Sequence, residues 1–92
     1  MAKYLMMGKY SLEAIKGIRK ERTKKVVDII KKAGGRVIAM YVLLGKYDLA
    51  FVVDFPGMKE LVKASITITK LTGISFASYA AMTVEEFDKL MG

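Results

Sequence analysis

Residues 43–55 read LLGKYDLAFVVDF. Gly45, Lys46, Tyr47 and Asp48 interrupt an apolar run, with β-branched and aromatic residues on both sides. Arg36–Leu44 and Asp48–Phe55 therefore read as the two strands of a hairpin. A Gly-Lys pair suits a two-residue loop of type II′, with glycine at the central position that needs positive φ. That loop pairs Leu44 with Tyr47, Leu43 with Asp48, Tyr41 with Ala50, and Ala39 with Val52. A four-residue loop, Gly45 to Asp48, shifts the pairs but keeps each residue on its face. Because side chains alternate along strands, one face carries Ile38, Met40, Val42, Leu44, Tyr47, Leu49, Phe51, Val53 and Phe55. The other carries Val37, Ala39, Tyr41, Leu43, Asp48, Ala50, Val52 and Asp54.

Outward from the hairpin, the remaining elements fall into place. Lys3–Tyr10 reads as a strand. Ser11 caps the helix that follows, with Glu13 in its first turn. Leu12, Ile15 and Ile18 fall three apart, and Gly17 weakens the run. Thr23, Val26, Val27, Ile30 and Ala33 resume helical spacing, with lysines opposite. Ser11–Ala33 is thus one helix kinked near Gly17–Arg19, or two short ones. Gly34-Gly35 ends it, the first glycine suiting a left-handed position. After Pro56-Gly57, Met58, Leu61, Ala64/Ser65, Ile68 and Leu71 keep helical spacing. Ser65–Thr69 is β-branched and locally strand-like, but the longer period favours helix, with Gly73 as its stop. Ile74–Met82 is a fourth strand. Thr83-Val84-Glu85-Glu86 forms a capping box opening a final helix, with Val84, Phe87, Leu90 and Met91 on one side.

The order β-α-β-β-α-β plus a terminal helix predicts one α+β domain over residues 1–92, of the ferredoxin-like kind. Four antiparallel strands carry two helices on one face. The bulkier hairpin face should lie under the helices, with Tyr47 near its end. On the first strand Leu5 and Met7 are assigned to the core, leaving Tyr4, Met6, Gly8 and Tyr10 outside. On the fourth, Ile74 and Phe76 are assigned inward, leaving Ser75, Ala77, Tyr79 and Ala81 outside. A sheet covered on one side normally alternates apolar and polar, yet both faces here are largely apolar. Sheet-on-sheet packing of two copies, a homodimer, accounts for this.

Composition narrows the chemistry. The 92 residues include no cysteine, histidine or tryptophan. Disulfides, thiolate nucleophiles, zinc sites with nitrogen or sulfur ligands, haem ligation by His or Cys, and histidine acid–base catalysis are excluded. No metal site or cofactor is implied. With 53% hydrophobic residues and a mean hydropathy of +0.29, the chain carries more apolar character than a small monomer buries. The longest uncharged stretch, Leu71–Val84, is too short to cross a bilayer and is interrupted by Gly73, Ser75 and Ser78. No signal peptide is apparent in MAKYLMMGKY, so a cytoplasmic location is expected. Asparagine and glutamine are also absent, which fits a thermophile and a melting temperature above ~80 °C.

Net charge is +7. Nine of the 16 basic residues fall between Lys16 and Arg36, offset there only by Glu21 and Asp28. This segment reads as a solvated helix face, or as a footprint for anions or nucleic acid. Gly45, Lys46, Tyr47 and Asp48 are assigned a structural role in the hairpin. Asp48 can accept bonds from turn amides or contact a ligand. Asp54 lies on the outer face, where a dimer would bury it with a salt-bridge partner or as a ligand anchor. Tyr4, Tyr10, Tyr41 and Tyr79 share that face in this register, as interface contacts or as the lining of a pocket. Tyr10, Tyr41, Asp48, Asp54, Ser75 and Tyr79 form the candidate ligand set, with the small Ala77 leaving room beside them. Glu85 and Glu86 are explained by capping, and no phosphate-binding glycine loop is present.

Gly45-Lys46-Tyr47-Asp48, KYLMMGKYS (3–11), KKAGGRVIAMY (31–41) and TVEEFDKL (83–90) resemble the GYD domain family, over nearly the whole chain. The resemblance implies a dimeric α/β barrel, in which ferredoxin-like sheets pair face to face. It implies no established activity. The hairpin is also similar to that of the ligand-binding domain of leucine-responsive-type regulators, whose effectors bind at subunit interfaces. This chain has no helix-turn-helix segment.

The leading expectation is a homo-oligomeric module that binds a small molecule at or near its subunit interface, as a sensor or scaffold. A cofactor-independent enzyme of the dimeric α/β barrel type is the first alternative, although many such sites use His, Asn or Trp. Specific nucleic-acid binding is the weaker alternative. The RNA-recognition motif shares this strand order, but the strand DLAFVVDF puts aspartates where RNA would lie.

Overall fold

The computed structural model describes residues 1–92. The elements are β1 (Ala2–Tyr10), α1 (Leu12–Lys16), α2 (Lys20–Lys32), β2 (Arg36–Val42), β3 (Leu49–Phe55), α3 (Met58–Thr72), β4 (Ile74–Ala81) and α4 (Val84–Met91). The strands form one antiparallel sheet in the order β2-β3-β1-β4. This is the expected ferredoxin-like arrangement, with β3 inserted between β1 and the strand that follows its crossover.

Local chemistry explains most boundaries. The Ser11 hydroxyl accepts from the Ala14 amide at 3.0 Å and opens α1. Gly17 closes α1, and α2 begins three residues later, so the Ser11–Ala33 segment is two helices. At the end of α2, Gly34 adopts φ +89°. The Gly34 amide bonds the Lys31 carbonyl and the Gly35 amide bonds the Ile30 carbonyl, which satisfies the last turn as a Schellman motif. The β-branched stretch Ser65–Thr69 is helical, with Thr67 and Thr69 hydroxyls bonded back to carbonyls four residues earlier. Gly73 ends α3 in the left-handed region. Thr83 caps α4 by accepting from the Glu86 amide at 3.0 Å.

One core lies between the sheet and the helices. Met6, Leu49, Phe51, Val53, Phe55 and Ile74 face Val26 and Ile30 of α2 and Leu61, Ala64 and Ile68 of α3. In α1 only Ala14 is buried; Leu12 and Ile15 are exposed. The helix α4 keeps its apolar side in one stripe but buries none of it, and Phe87 is its least exposed large residue at 49%.

Two face assignments require correction. In β1, Tyr4 pairs with Val53 and Met6 with Phe51 across β3, whereas Leu5 pairs with Val52 and Met7 with Ala50. Tyr4, Met6, Gly8 and Tyr10 therefore lie on the helix side, and Leu5 and Met7 on the outer side. Gly8 is held there by close packing: a Cβ would lie 3.1 Å from Leu49 Cβ and from the Phe76 ring. In β2, the register shifts between Val37, paired with Val53, and Ala39, paired with Val52. The extra residue, Ile38, is a bulge, which turns Val37 inward onto the core. Beyond the bulge the expected pairs Tyr41 with Ala50 and Ala39 with Val52 are present.

Candidate functional site

The β2–β3 loop is longer than a two-residue hairpin turn. Strand pairing ends at Val42 with Leu49, leaving Leu43–Asp48 as the connection. Gly45 does not have positive φ, so the type II′ turn is not formed. The loop is closed instead by the Leu43 amide on the Asp48 carbonyl at 2.8 Å. Asp48 ties it to β1 twice. Its amide donates to the Gly8 carbonyl at 2.8 Å, and its carboxylate accepts from the Tyr10 amide at 2.8 Å. The Lys9 ammonium adds a bond to the Lys46 carbonyl at 3.0 Å.

So anchored, the loop folds over the outer face of the sheet. Hydrogen bonding with Tyr47 is the main cause that raises the Tyr79 phenol above its ordinary 10.0, with its charge interaction with Tyr47 and burial adding and Lys46 opposing. Tyr79 stands on the outer face, opposite Leu5. Tyr47 lies in the loop rather than in a strand, so the strand parity that assigned it to the core does not apply to it. Lys46 Nζ sits 5.9 Å from the centre of the Tyr47 ring.

The outer face is built from Leu5 and Met7 of β1, Ala50, Val52 and Asp54 of β3, Ala39 and Tyr41 of β2, and Ser75, Ala77 and Tyr79 of β4. Of the candidate ligand set, it gathers Tyr41, Asp54, Ser75 and Tyr79. Tyr10 lies on the opposite side, and Asp48 at the end of the sheet is occupied by the Tyr10 amide. Asp54 is 7% exposed. Its two oxygens pair within the chain, Oδ1 with Lys3 at 3.3 Å and Oδ2 with Arg36 at 3.0 Å. Hydrogen bonding from Arg36 leads the causes that lower its pKa from 3.8; burial opposes, and Lys3 adds to the lowering. Both cations are cross-strand neighbours of Asp54 in the register.

A second feature lies on the helix side, where the α1–α2 junction overhangs β2. A groove of about 340 Å³ is walled by Ile18, Val26, Met40, Val42, Leu49, Phe51 and Ile74, and edged by Tyr10, Tyr41, Arg19, Lys20 and Arg22. Arg22 donates to the Ala14 carbonyl and its guanidinium carbon lies 5.5 Å from the Tyr10 ring centre. Tyr41, 59% exposed, is shared by the groove and the outer face. Apart from Tyr10 and Tyr41, the groove residues were not among the expected site residues. A sequence signal existed in Ile18, an apolar residue stranded between Gly17 and the basic Arg19-Lys20 pair.

No group of three or more His, Cys, Asp or Glu side chains is placed to hold a metal ion, and no helix is long and apolar enough to cross a membrane. No curated protein matches the sequence. Among solved structures, the chain resembles the crystal structure of the leucine response regulatory protein (LrpA) of Mycobacterium tuberculosis. The TM-score is 0.63 at 10% identity, covering 89% of this chain and 51% of the regulator, so this chain spans about half of that protein's length. At that identity the likeness establishes a shared fold. The model of the GYD domain matches residues 4–91, and that match covers both flanks of the loop described above. The chain belongs to the GYD domain family.

Proposed function

We propose that this protein is a self-associating sensor module: a second copy covers the outer face, and a small molecule binds in the groove beside it. The observation that carries the ligand part is the groove itself. It is mostly apolar, with few polar groups at its edge, and its volume lies at the small end of the roughly 300–1,000 Å³ usual for small-molecule sites. It supports a metabolite rather than a dinucleotide. Tyr41 borders both groove and outer face, which offers a direct route for ligand binding to alter self-association. The shared fold with a regulator named for a response to leucine is in keeping with a sensing role.

Surface area supports the partner. A compact monomer of 10.2 kDa should expose about 5,300 Å²; this chain exposes 6442 Å². The excess, about 1,100 Å², exceeds the roughly 800 Å² that each partner buries in a standard interface. Apolar residues that contribute to it include Tyr41 and Tyr79 on the outer face and Val84, Phe87, Leu90 and Met91 on α4, beside others on α1 and α3. A thermal-shift screen of metabolites, run beside sedimentation of the same samples, tests the reading. A ligand that raises the melting temperature and shifts the association equilibrium supports it. A monomer that no compound stabilises contradicts it.

A further inference from the structure

The groove selects charge as well as shape. Ile18, Val26, Met40, Leu49, Phe51 and Ile74 offer an apolar body its contacts, while every charged lining residue is a cation. Arg22 is already engaged by the Ala14 carbonyl and the Tyr10 ring. Arg19 and Lys20 are exposed and have no ion-pair partner. They stand at the first turn of α2, a 13-residue helix whose N-terminus has no side-chain cap. Two exposed cations without ion-pair partners and an apolar wall thus converge on one groove.

We propose that the groove binds a small apolar monocarboxylate that lacks an ammonium group, such as a branched-chain or aryl 2-oxo acid. This rests on the sensor reading and specifies its ligand. The carboxylate lies against Arg19 and Lys20, and the hydrocarbon part against Val26, Met40 and Phe51. An amino acid of the same shape is disfavoured. Its ammonium would enter a site with three cations and no carboxylate to receive it, and opposed charges of that kind act against binding.

The test is isothermal titration of the full chain with three probes of similar shape: 4-methyl-2-oxopentanoate, leucine and 4-methylpentanamide. The oxo acid should bind once per chain, with leucine and the amide weaker by at least roughly tenfold. The double variant Arg19→Ala, Lys20→Ala should weaken the oxo acid by a similar roughly tenfold factor while keeping the wild-type circular dichroism spectrum. Thr23, which also lines the groove, is exposed at its edge, and Thr23→Phe should abolish binding by filling the space. If leucine or the amide binds as tightly as the oxo acid, or if the double variant binds it unchanged, the ligand class is wrong. Leucine binding that Thr23→Phe removes would overturn the class and leave the sensor reading standing. Silence from all three probes and from phenylpyruvate overturns the class, and silence from a wider metabolite set removes the sensor reading with it.

Discussion

Asp54 shows how a single residue ties three strands together. Lys3, Asp54 and Arg36 line up across β1, β3 and β2, so the ion pairs tie three strands at one end of the sheet as well as neutralise a buried charge. A depressed folded-state pKa means the group stabilises the protein above its unfolded value of 3.8, and that this contribution is lost as pH falls through the folded value. Asp54→Asn should therefore cost about 1–2 kcal/mol at pH 7, since both partners are partly solvated. The deficit relative to wild type should shrink once pH falls below 3.8. Urea denaturation of both proteins at pH 7 and pH 3 checks this; an equal deficit at both would rule out the pair as its source. Asp48→Ala removes the acceptor for the Tyr10 amide and should cost about 1–3 kcal/mol by the same measurement at neutral pH. The sequence flagged Asp54 as an acid in need of a partner. It did not show that the partners belong to the same chain, because that depends on which way Lys3 points.

At the scale of elements, glycines separate a turn that needs one from a turn that does not. Gly34 sits at φ +89°, so Gly34→Ala should cost about 1–2 kcal/mol. Gly45 has neither positive φ nor any atom within 4 Å of an added Cβ. Gly45→Ala should stay within about 0.5 kcal/mol of wild type in thermal unfolding, and a large loss would restore the tight-turn reading. Helices, strand order and the middle of the β2–β3 register were legible because period and capping chemistry agreed. The β1 faces were not read correctly although a signal was present. Lys3 and Lys9 share parity with Leu5 and Met7, which marks that set as the outer one, whereas apolar bulk alone did not separate it from Tyr4 and Met6. The bulge at Ile38 left no mark, since RVIAMYV is apolar at nearly every position. The groove escaped the reading because it is assembled from α1–α2, β2, β3 and the start of β4, elements distant in sequence.

For the whole molecule, shape and area point the same way. The radius of gyration is 13.7 Å, against about 12.3 Å for a compact chain of this length, and the long axis reaches 48 Å. The apolar stripe of α4 is unburied, and covering the outer face is the role proposed above for a second copy. Val52 lies in the middle of that face, between Leu5 and Ala39 in register. Val52→Lys should weaken self-association by at least roughly tenfold, with the far-ultraviolet circular dichroism unchanged. The most direct test is sedimentation equilibrium of the wild-type chain at micromolar concentration. A mass of at least twice 10.2 kDa, falling toward a single chain in Val52→Lys, is the predicted result. A wild-type mass of 10.2 kDa would contradict it.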